Sequence, residues 1–353
     1  MADTAPAAVP ARGYDAHIAV DAMGGDAPLS ERVSGALAAA RIYGDTEVLL
    51  CGALAEVEAE IHKLGQKPEN VTLVDASELI GMHEPPVRAL REKKNSPIVI
   101  GVQMVADGRA DAFVSAGNTG AVAAASSLKL GRLKHVLRPG IAVTMQIINY
   151  PVVAIDVGAN MDCKPAHLLQ YGIMASVFAS EVLEIQNPRV GLLNVGEEPV
   201  KGNDVAKQTF ELLSGAGLNF VGNVEPEMLF RRGCDILVCD GFVGNILLKV
   251  SESVALSFVA WLREQFHGSL RYKLGFALCK DLFGHLKQCA DFSEYGGAPL
   301  LGVNGVIIIT HGTSDARGIQ NAIREARASV ELDVNKHIQE AVRKDATSRG
   351  SRA

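Results

Sequence analysis

No run of roughly eighteen consecutive apolar residues occurs in this 353-residue chain, so nothing in it is expected to span a membrane. The N-terminus is Ala/Pro-rich and lacks the basic start and apolar run of a signal peptide. The six cysteines form no CxxC pair and no zinc-ligand spacing with histidine, which excludes a standard zinc site and gives no disulfide framework; scattered thiols read as cytosolic. There is no basic excess: 34 Lys and Arg stand against 40 Asp and Glu, a net charge of −6 with pI near 5.9, and nucleic acid is an unexpected partner. Aromatics make up only 5% of the chain, while Gly reaches 35 residues, a balance suited to close helix-on-sheet packing and Gly-rich loops. Walker, GxGxxG, GxSxG and HExxH motifs are all absent, so nucleotide hydrolysis, a standard dinucleotide fold, a serine hydrolase and a zincin lose support.

What is present is a core-forming α/β pattern. With 48% hydrophobic residues, 21% charged residues and a mean hydropathy of +0.15, the chain is globular. Apolar runs at 17–20, 48–51, 71–74, 112–115, 141–144, 152–155, 190–194, 236–239 and 305–310 read as strands. Most are continuous rather than alternating, as in a sheet covered on both faces. Helical segments at 30–43, 119–130, 165–183, 204–213 and 314–330 lie between them. The expectation is a three-layer α/β/α domain over 16–345 with a mostly parallel sheet. Flexible tails are expected at 1–15 and 346–353.

One segment breaks the alternation. Residues 251–288 read as two successive helices with a turn near Gly268 and Ser269, a protruding hairpin with a wide apolar face. Its second half carries Leu270, Leu274, Phe276 and Leu278 beside Lys273, and 263–287 holds five basic residues against two acidic ones. A core or dimer helix pair is the plainer interpretation. An apolar tip with a basic rim also suits a membrane surface or an acidic carrier protein.

Six strand ends carry small and polar residues together, where open α/β sheets bind ligands. They are Val20-Asp21-Ala22-Met23-Gly24-Gly25-Asp26, Ser115-Ala116-Gly117-Asn118-Thr119-Gly120, Asp156-Val157-Gly158-Ala159-Asn160, Asn194-Val195-Gly196 running to Lys201-Gly202-Asn203, Asp240-Gly241-Phe242-Val243-Gly244-Asn245 and Thr310-His311-Gly312-Thr313-Ser314-Asp315. Each turn exposes backbone N–H groups at a helix start, which favours an anion. Taken singly, each is ordinary cap and turn chemistry.

Together with Asp162-Cys163-Lys164-Pro165 and Tyr295-Gly296-Gly297-Ala298-Pro299-Leu300-Leu301-Gly302, these segments run in the order found in the PlsX family, which the sequence resembles over about 17–330. The chain departs from the family pattern in placing Ala27-Pro28 directly after Asp26, and in having Thr313 and Asp315 where Ser and Asn are commoner. The resemblance implies a fold like that of phosphate acetyltransferases and isocitrate/isopropylmalate dehydrogenases. It implies transfer of a fatty acyl group from acyl-carrier-protein thioester to inorganic phosphate. The acyl phosphate then feeds a membrane glycerol-3-phosphate acyltransferase of phospholipid synthesis. It further implies a cytoplasmic homodimer at the membrane surface, with no metal and no organic cofactor.

That chemistry needs an anion site, a positive charge and donors for a tetrahedral oxyanion, but hardly a strong base. Phosphate is assigned to the 115–120 turn, with Asn118 and Thr119 as side-chain donors beside Ser115, Gly117 and Gly120. Lys201, next to Asn203, is the leading electrostatic residue. Asp240, beside Gly241, would orient phosphate or take its proton, and Asn245 would donate to the oxyanion. Asp156 and Asn160 would shape the floor, and Asp21, Gly24, Gly25 and His311 would complete the substrate site. Cys163, near a helix start, offers a covalent alternative. No activating partner is placed beside it by sequence, so direct attack is preferred. The rival functions are a CoA-dependent phosphate acetyltransferase, a dehydrogenase of related fold and a non-catalytic carrier-protein adaptor.

Overall fold

The computed structural model describes residues 14–147, 150–268, 271–272 and 296–350. The first half runs β1 (Ala16–Asp21), α1 (Leu29–Ile42), β2 (Thr46–Gly52), α2 (Leu54–Leu64), β3 (Val71–Asp75), α3 (Pro86–Glu92), α4 (Pro97–Ala106), β4 (Ala112–Ser115) and α5 (Thr119–Lys129). The second half runs β5 (Gly140–Ile147), β6 (Tyr150–Ile155), α6 (Pro165–Glu181), β7 (Val190–Leu193), α7 (Asp204–Ser214), β8 (Phe220–Val224), α8 (Pro226–Leu229), β9 (Ile236–Val238) and α9 (Gly241–Gly268). The chain then returns to the first half with β10 (Ala298–Leu301), β11 (Val306–Ile309) and α10 (Ala316–Glu331), and closes with α11 (Val334–Gly350).

The eleven strands among the described residues lie in one sheet of order β3-β2-β1-β4-β11-β10-β5-β6-β9-β7-β8. The expected α/β class and mostly parallel sheet are both present. What the sequence did not suggest is the reversal at the centre. The block from β3 to β11 is parallel throughout, and so is the block from β6 to β8. β10 and β5 join them through three antiparallel pairings, β11–β10, β10–β5 and β5–β6. The two blocks therefore run in opposite directions. The registers stagger the blocks so that their carboxyl ends meet: Ile155 and Val238, at the ends of β6 and β9, lie level with Ile308 and Val114, at the ends of β11 and β4, and the turns after both sets of strands face each other there.

Three apolar layers hold the halves together. Val33, Ala36 and Leu37 of α1 and Ile319, Ile323 and Ala326 of α10 cover one face of the first block. α4 and α5 cover the other face, in a core that continues across β5 and β6. α6 and α11 pack on the second block. Strand side chains are buried on both faces, which is why those runs read as continuously apolar. A Cβ at Gly35 would collide with the Ala316 carbonyl, so only glycine lets α1 and α10 meet so closely.

Two boundaries move. The first helix of the expected hairpin starts at Gly241, ten residues before 251, because Asp240 caps it directly: its Oδ1 accepts from the backbone N–H groups of Phe242 (3.0 Å) and Val243 (2.9 Å). The second hairpin helix, with Leu270, Lys273, Leu274, Phe276 and Leu278, lies outside the described residues. At the other end α11 continues to Gly350, so 346–350 is helical rather than a flexible tail.

Candidate active-site cleft between the two blocks

A cleft of about 280 Å³ lies over the central strands. Its floor is apolar: Ile141 and Val143 of β5, Ala298 of β10 and Ile309 of β11. One wall combines Asp26, Thr119 and the turn from Thr310 to Ser314, at the carboxyl ends of β1, β4 and β11. The other wall is one face of α9, where Asn245, Leu248, Lys249 and Glu252 follow helical spacing. α9 reaches this position because its neighbours Leu247 and Leu248 pack against the sheet core.

The first wall is built by turns that nest into one another. Asp21 is buried and acts as a staple: Oδ1 accepts from the backbone N–H groups of Met23 (2.9 Å) and Gly24 (2.8 Å), and the Ser115 hydroxyl donates to Oδ2 (2.7 Å). Burial pushes the Asp21 carboxyl above its ordinary range, against the pull of these donors. Gly24 lies so close to Gly117 that a Cβ would come within 2.8 Å of the Gly117 Cα, and Gly25 has a positive φ of 110°. The Gly312 carbonyl accepts from the N–H groups of Asp26 (2.7 Å) and Ala27 (2.9 Å), locking the first turn to the last. Beneath them Arg32, also buried, donates to the Ala22 and Ala27 carbonyls, both at 2.6 Å. Arg32 was not singled out from sequence; an Arg inside a helix pattern carries no signal of its burial.

Asn118 is engaged at both ends of its side chain. Its Oδ1 caps α5 by accepting from the Ala121 N–H (3.0 Å), and its Nδ2 faces the carbonyls of Gly81, Met82 and Glu84 at 3.0–3.2 Å. The side chain thereby ties the start of α5 to the 81–84 loop. Gly120 sits in the first turn of α5 against Pro86, where a Cβ would lie 2.7 Å from Pro86 Cγ. Of the 115–120 turn, Thr119 alone lines the cleft. His311 lines it as well, with its Nδ1 2.7 Å from the Thr313 hydroxyl.

The turns of the second block meet the same cleft, with Val157 and Asn245 in its lining, while most of their polar side chains serve the fold. Asp156 is fully buried. Its Oδ1 accepts from the N–H groups of Ile141 (3.0 Å), Gly158 (3.1 Å) and Ala159 (2.9 Å), and its Oδ2 accepts from the Asn160 N–H (2.7 Å) and Nδ2 (3.2 Å). Burial raises its pKa despite those donors. Asn160 also donates from Nδ2 to the Pro139 carbonyl (2.6 Å) and the Tyr171 hydroxyl (2.8 Å). Neither residue lines the cleft; they form a buried knot on which α9 is seated. Gly241 and Gly244 make that seating possible, since a Cβ at Gly244 would collide with the Asp156 carbonyl oxygen. Asp240 caps α9 through Oδ1 and is not in the lining of the cleft.

Lys201 is exposed after β7, 3.9 Å from Glu198, outside the lining of this cleft. Asn203 caps α7 by accepting from the Ala206 N–H (2.9 Å). The lysine that the fold brings to the cleft is Lys249, which sits four residues after Asn245 on the same helix face. Sequence reading missed it because the helix was expected to begin only at 251; periodicity carried back to Gly241 pairs the two.

Cys163 is half-buried, and burial pushes its thiol above the ordinary value. A raised thiol carries less thiolate near neutral pH and is a poorer nucleophile there. Among the described residues no group of acidic, Cys and His side chains is arranged to hold a metal ion.

Behind the cleft wall, Glu325 of α10 is buried, with the Gly297 N–H bonded to it; burial raises its pKa from 4.5 to about 8. The folded chain thus keeps a proton between about pH 4.5 and 8 that the unfolded chain has released. The contribution of Glu325 to stability is therefore lost as pH rises through that window. Between pH 6 and 9 the thermal midpoint should fall by on the order of 5 °C more in the wild type than in Glu325→Gln, read by calorimetry.

Residues 16–337 match the family described as fatty acid synthesis protein. Among curated relatives, a phosphate acyltransferase of Halothermothrix orenii is 42% identical over 330 residues, covering 93% of this chain and 99% of its own. Another, of Pelotomaculum thermopropionicum, is 46% identical over 325 residues, covering 92% and 94%. Among solved structures, the EutD phosphotransacetylase from Staphylococcus aureus superposes with a TM-score of 0.58 at 15% identity, covering 90% of this chain and 95% of its own. A phosphotransacetylase from Streptococcus pyogenes gives 0.57 at 18%, covering 93% and 94%. At such identities the structural likeness concerns the fold alone.

Proposed function

The chain belongs to the fatty acid synthesis protein family and is an acyltransferase that moves an acyl group onto phosphate, and we propose that its donor is a long-chain acyl thioester of acyl carrier protein. The observation that carries this reading is the cleft itself, whose apolar floor lies under polar walls. The floor suits the acyl end of the donor, and the walls suit a small anion. At about 280 Å³ the cleft holds phosphate and the thioester end, and the alkyl tail extends beyond it.

In the reaction a phosphate oxygen attacks the thioester carbonyl carbon. A new C–O bond forms, the carbonyl electrons move onto the oxygen, and the tetrahedral adduct collapses by breaking the C–S bond. The phosphate proton ends on the departing sulfur, so hydrogen phosphate and thioester give acyl phosphate and thiol. Phosphate is already largely dianionic near neutral pH, and no strong base is required. The chain's contribution is to hold the two reactants together and to stabilise the oxyanion. Asn245, on the α9 wall, is the side chain assigned to the oxyanion.

α9 also bears Ile246, Val250, Val254, Phe258 and Trp261 exposed on a stripe away from the cleft. It is long and apolar enough to cross a membrane by length and composition, yet its first turns are packed onto the Asp156 knot. We assign the stripe to a homodimer contact continuing into a peripheral membrane contact, on a cytoplasmic enzyme. The acyl phosphate would then be released near the membrane acyltransferase that consumes it. A CoA-dependent phosphate acetyltransferase is the competing reading.

Acyl-phosphate yield should be compared with palmitoyl-carrier protein, palmitoyl-CoA and acetyl-CoA as donors, with hydroxylamine trapping as the readout. Turnover with the carrier-protein thioester should exceed that with acetyl-CoA by about 100-fold or more, a difference of roughly 3 kcal/mol in transition-state binding. Equal or better turnover of acetyl-CoA would replace this reading with the competing one.

A further inference from the structure

Resting on the phosphate acyltransferase reading, we propose that the attacking phosphate is held between Lys249 of α9 and the buried hydroxyl of Ser314, on the two walls of the cleft, and not in the 115–120 turn. Three observations converge. First, Lys249 lines the cleft and makes no hydrogen bond or ion pair among the described residues. Second, Ser314 lines the same cleft and is only 5% exposed, yet its Oγ has no hydrogen-bond partner. A buried hydroxyl without a partner is costly. A ligand oxygen that completes its bonding gives a reason to keep it. Third, Ser314 lies just before Asp315, the N-cap of the sixteen-residue helix α10, and Thr119 opens α5 on the same wall. The backbone dipoles of both helix starts favour negative charge there.

The cleft also explains why one cation suffices. Asp26 and Glu252 line it too, and the buried Arg32 interacts electrostatically with Asp21 first and with Asp26 second. Lys249 remains as the charge open to an incoming anion. Asn245, one helical turn earlier, then stands beside the carbonyl that the phosphate attacks. A single face of α9 would supply both the counter-charge and the oxyanion donor, while the first block supplies the hydroxyl.

The test uses full-length protein with palmitoyl-carrier protein held saturating and phosphate varied. Lys249→Gln should raise the KM for phosphate by about tenfold or more, with Lys249→Arg recovering part of the loss. Ser314→Ala should raise it by about tenfold while leaving the thermal midpoint unchanged or higher, a combination that a merely structural hydroxyl would not produce. The KM for the acyl donor should stay within about twofold in all three. In parallel, phosphate binding without donor is read by 31P line broadening, which should weaken in Lys249→Gln and Ser314→Ala. If the wild type turns over and both variants keep the phosphate KM and the broadening of the wild type, the subsite is wrong and the reaction stands. If no thioester yields acyl phosphate, the functional reading fails, and the broadening alone decides the subsite.

Discussion

Replacing Asp156 by alanine should destabilise the protein by about 4 kcal/mol, among the larger effects a single substitution has. The carboxylate is fully buried and accepts from four backbone N–H groups and one side-chain amide. Alanine would leave the N–H groups of Ile141, Gly158, Ala159 and Asn160 without their acceptor inside the fold, and each buried orphan costs about 1–3 kcal/mol. Partial relaxation and water entry keep the total below the sum. Asn is no remedy, because its amide would direct hydrogens at N–H groups that need an acceptor. Urea unfolding measures the loss. A change below about 1 kcal/mol would show that the knot does not hold β5 and the start of α9 together.

The second large effect is kinetic. Gly244→Ala should lower turnover by about 100-fold. A Cβ there meets the carbonyl oxygen of Asp156, and backbone does not yield as a flexible side chain would. The first turn of α9 must shift outward, carrying Asn245 and Lys249 with it. A displacement near 1 Å at a group that positions reactants costs about two orders of magnitude. Steady-state turnover with a parallel folding check by circular dichroism separates this from simple unfolding. Full activity in the variant would mean that α9 does not position the chemistry.

The strand pattern was largely legible in the sequence. The runs at 112–115 and 190–194, for example, coincide with β4 (Ala112–Ser115) and β7 (Val190–Leu193) to within a residue. β8 and β10 were missed. β8 is at the sheet edge and only partly buried, and β10 is a four-residue strand holding Pro299. That short strand reverses the sheet direction at its centre, and no local pattern encodes which way a strand runs. The consequence for the site was substantial. Six similar turns read as one set on one parallel sheet, whereas turns of two oppositely directed blocks meet at the cleft, with α9 bringing Asn245 and Lys249 from the second.

The glycines were legible as close approaches, but the side chains beside them were harder to read. Asn118, Asp240 and Asn203 look alike in sequence whether they cap a helix or grip a ligand, and all three are caps here. Lys201 stood out because it neighbours glycine and asparagine. Lys249 did not, being one polar residue in an apolar helix, and only the packing of that helix brings it to the cleft.

The most direct measurement is 31P NMR of wild-type protein mixed with phosphate and palmitoyl-carrier protein, with free thiol titrated in the same sample. The account predicts a new acyl-phosphate resonance growing in step with released thiol, one for one. Thiol release without that resonance would mean that water, not phosphate, attacks the thioester, and would contradict it.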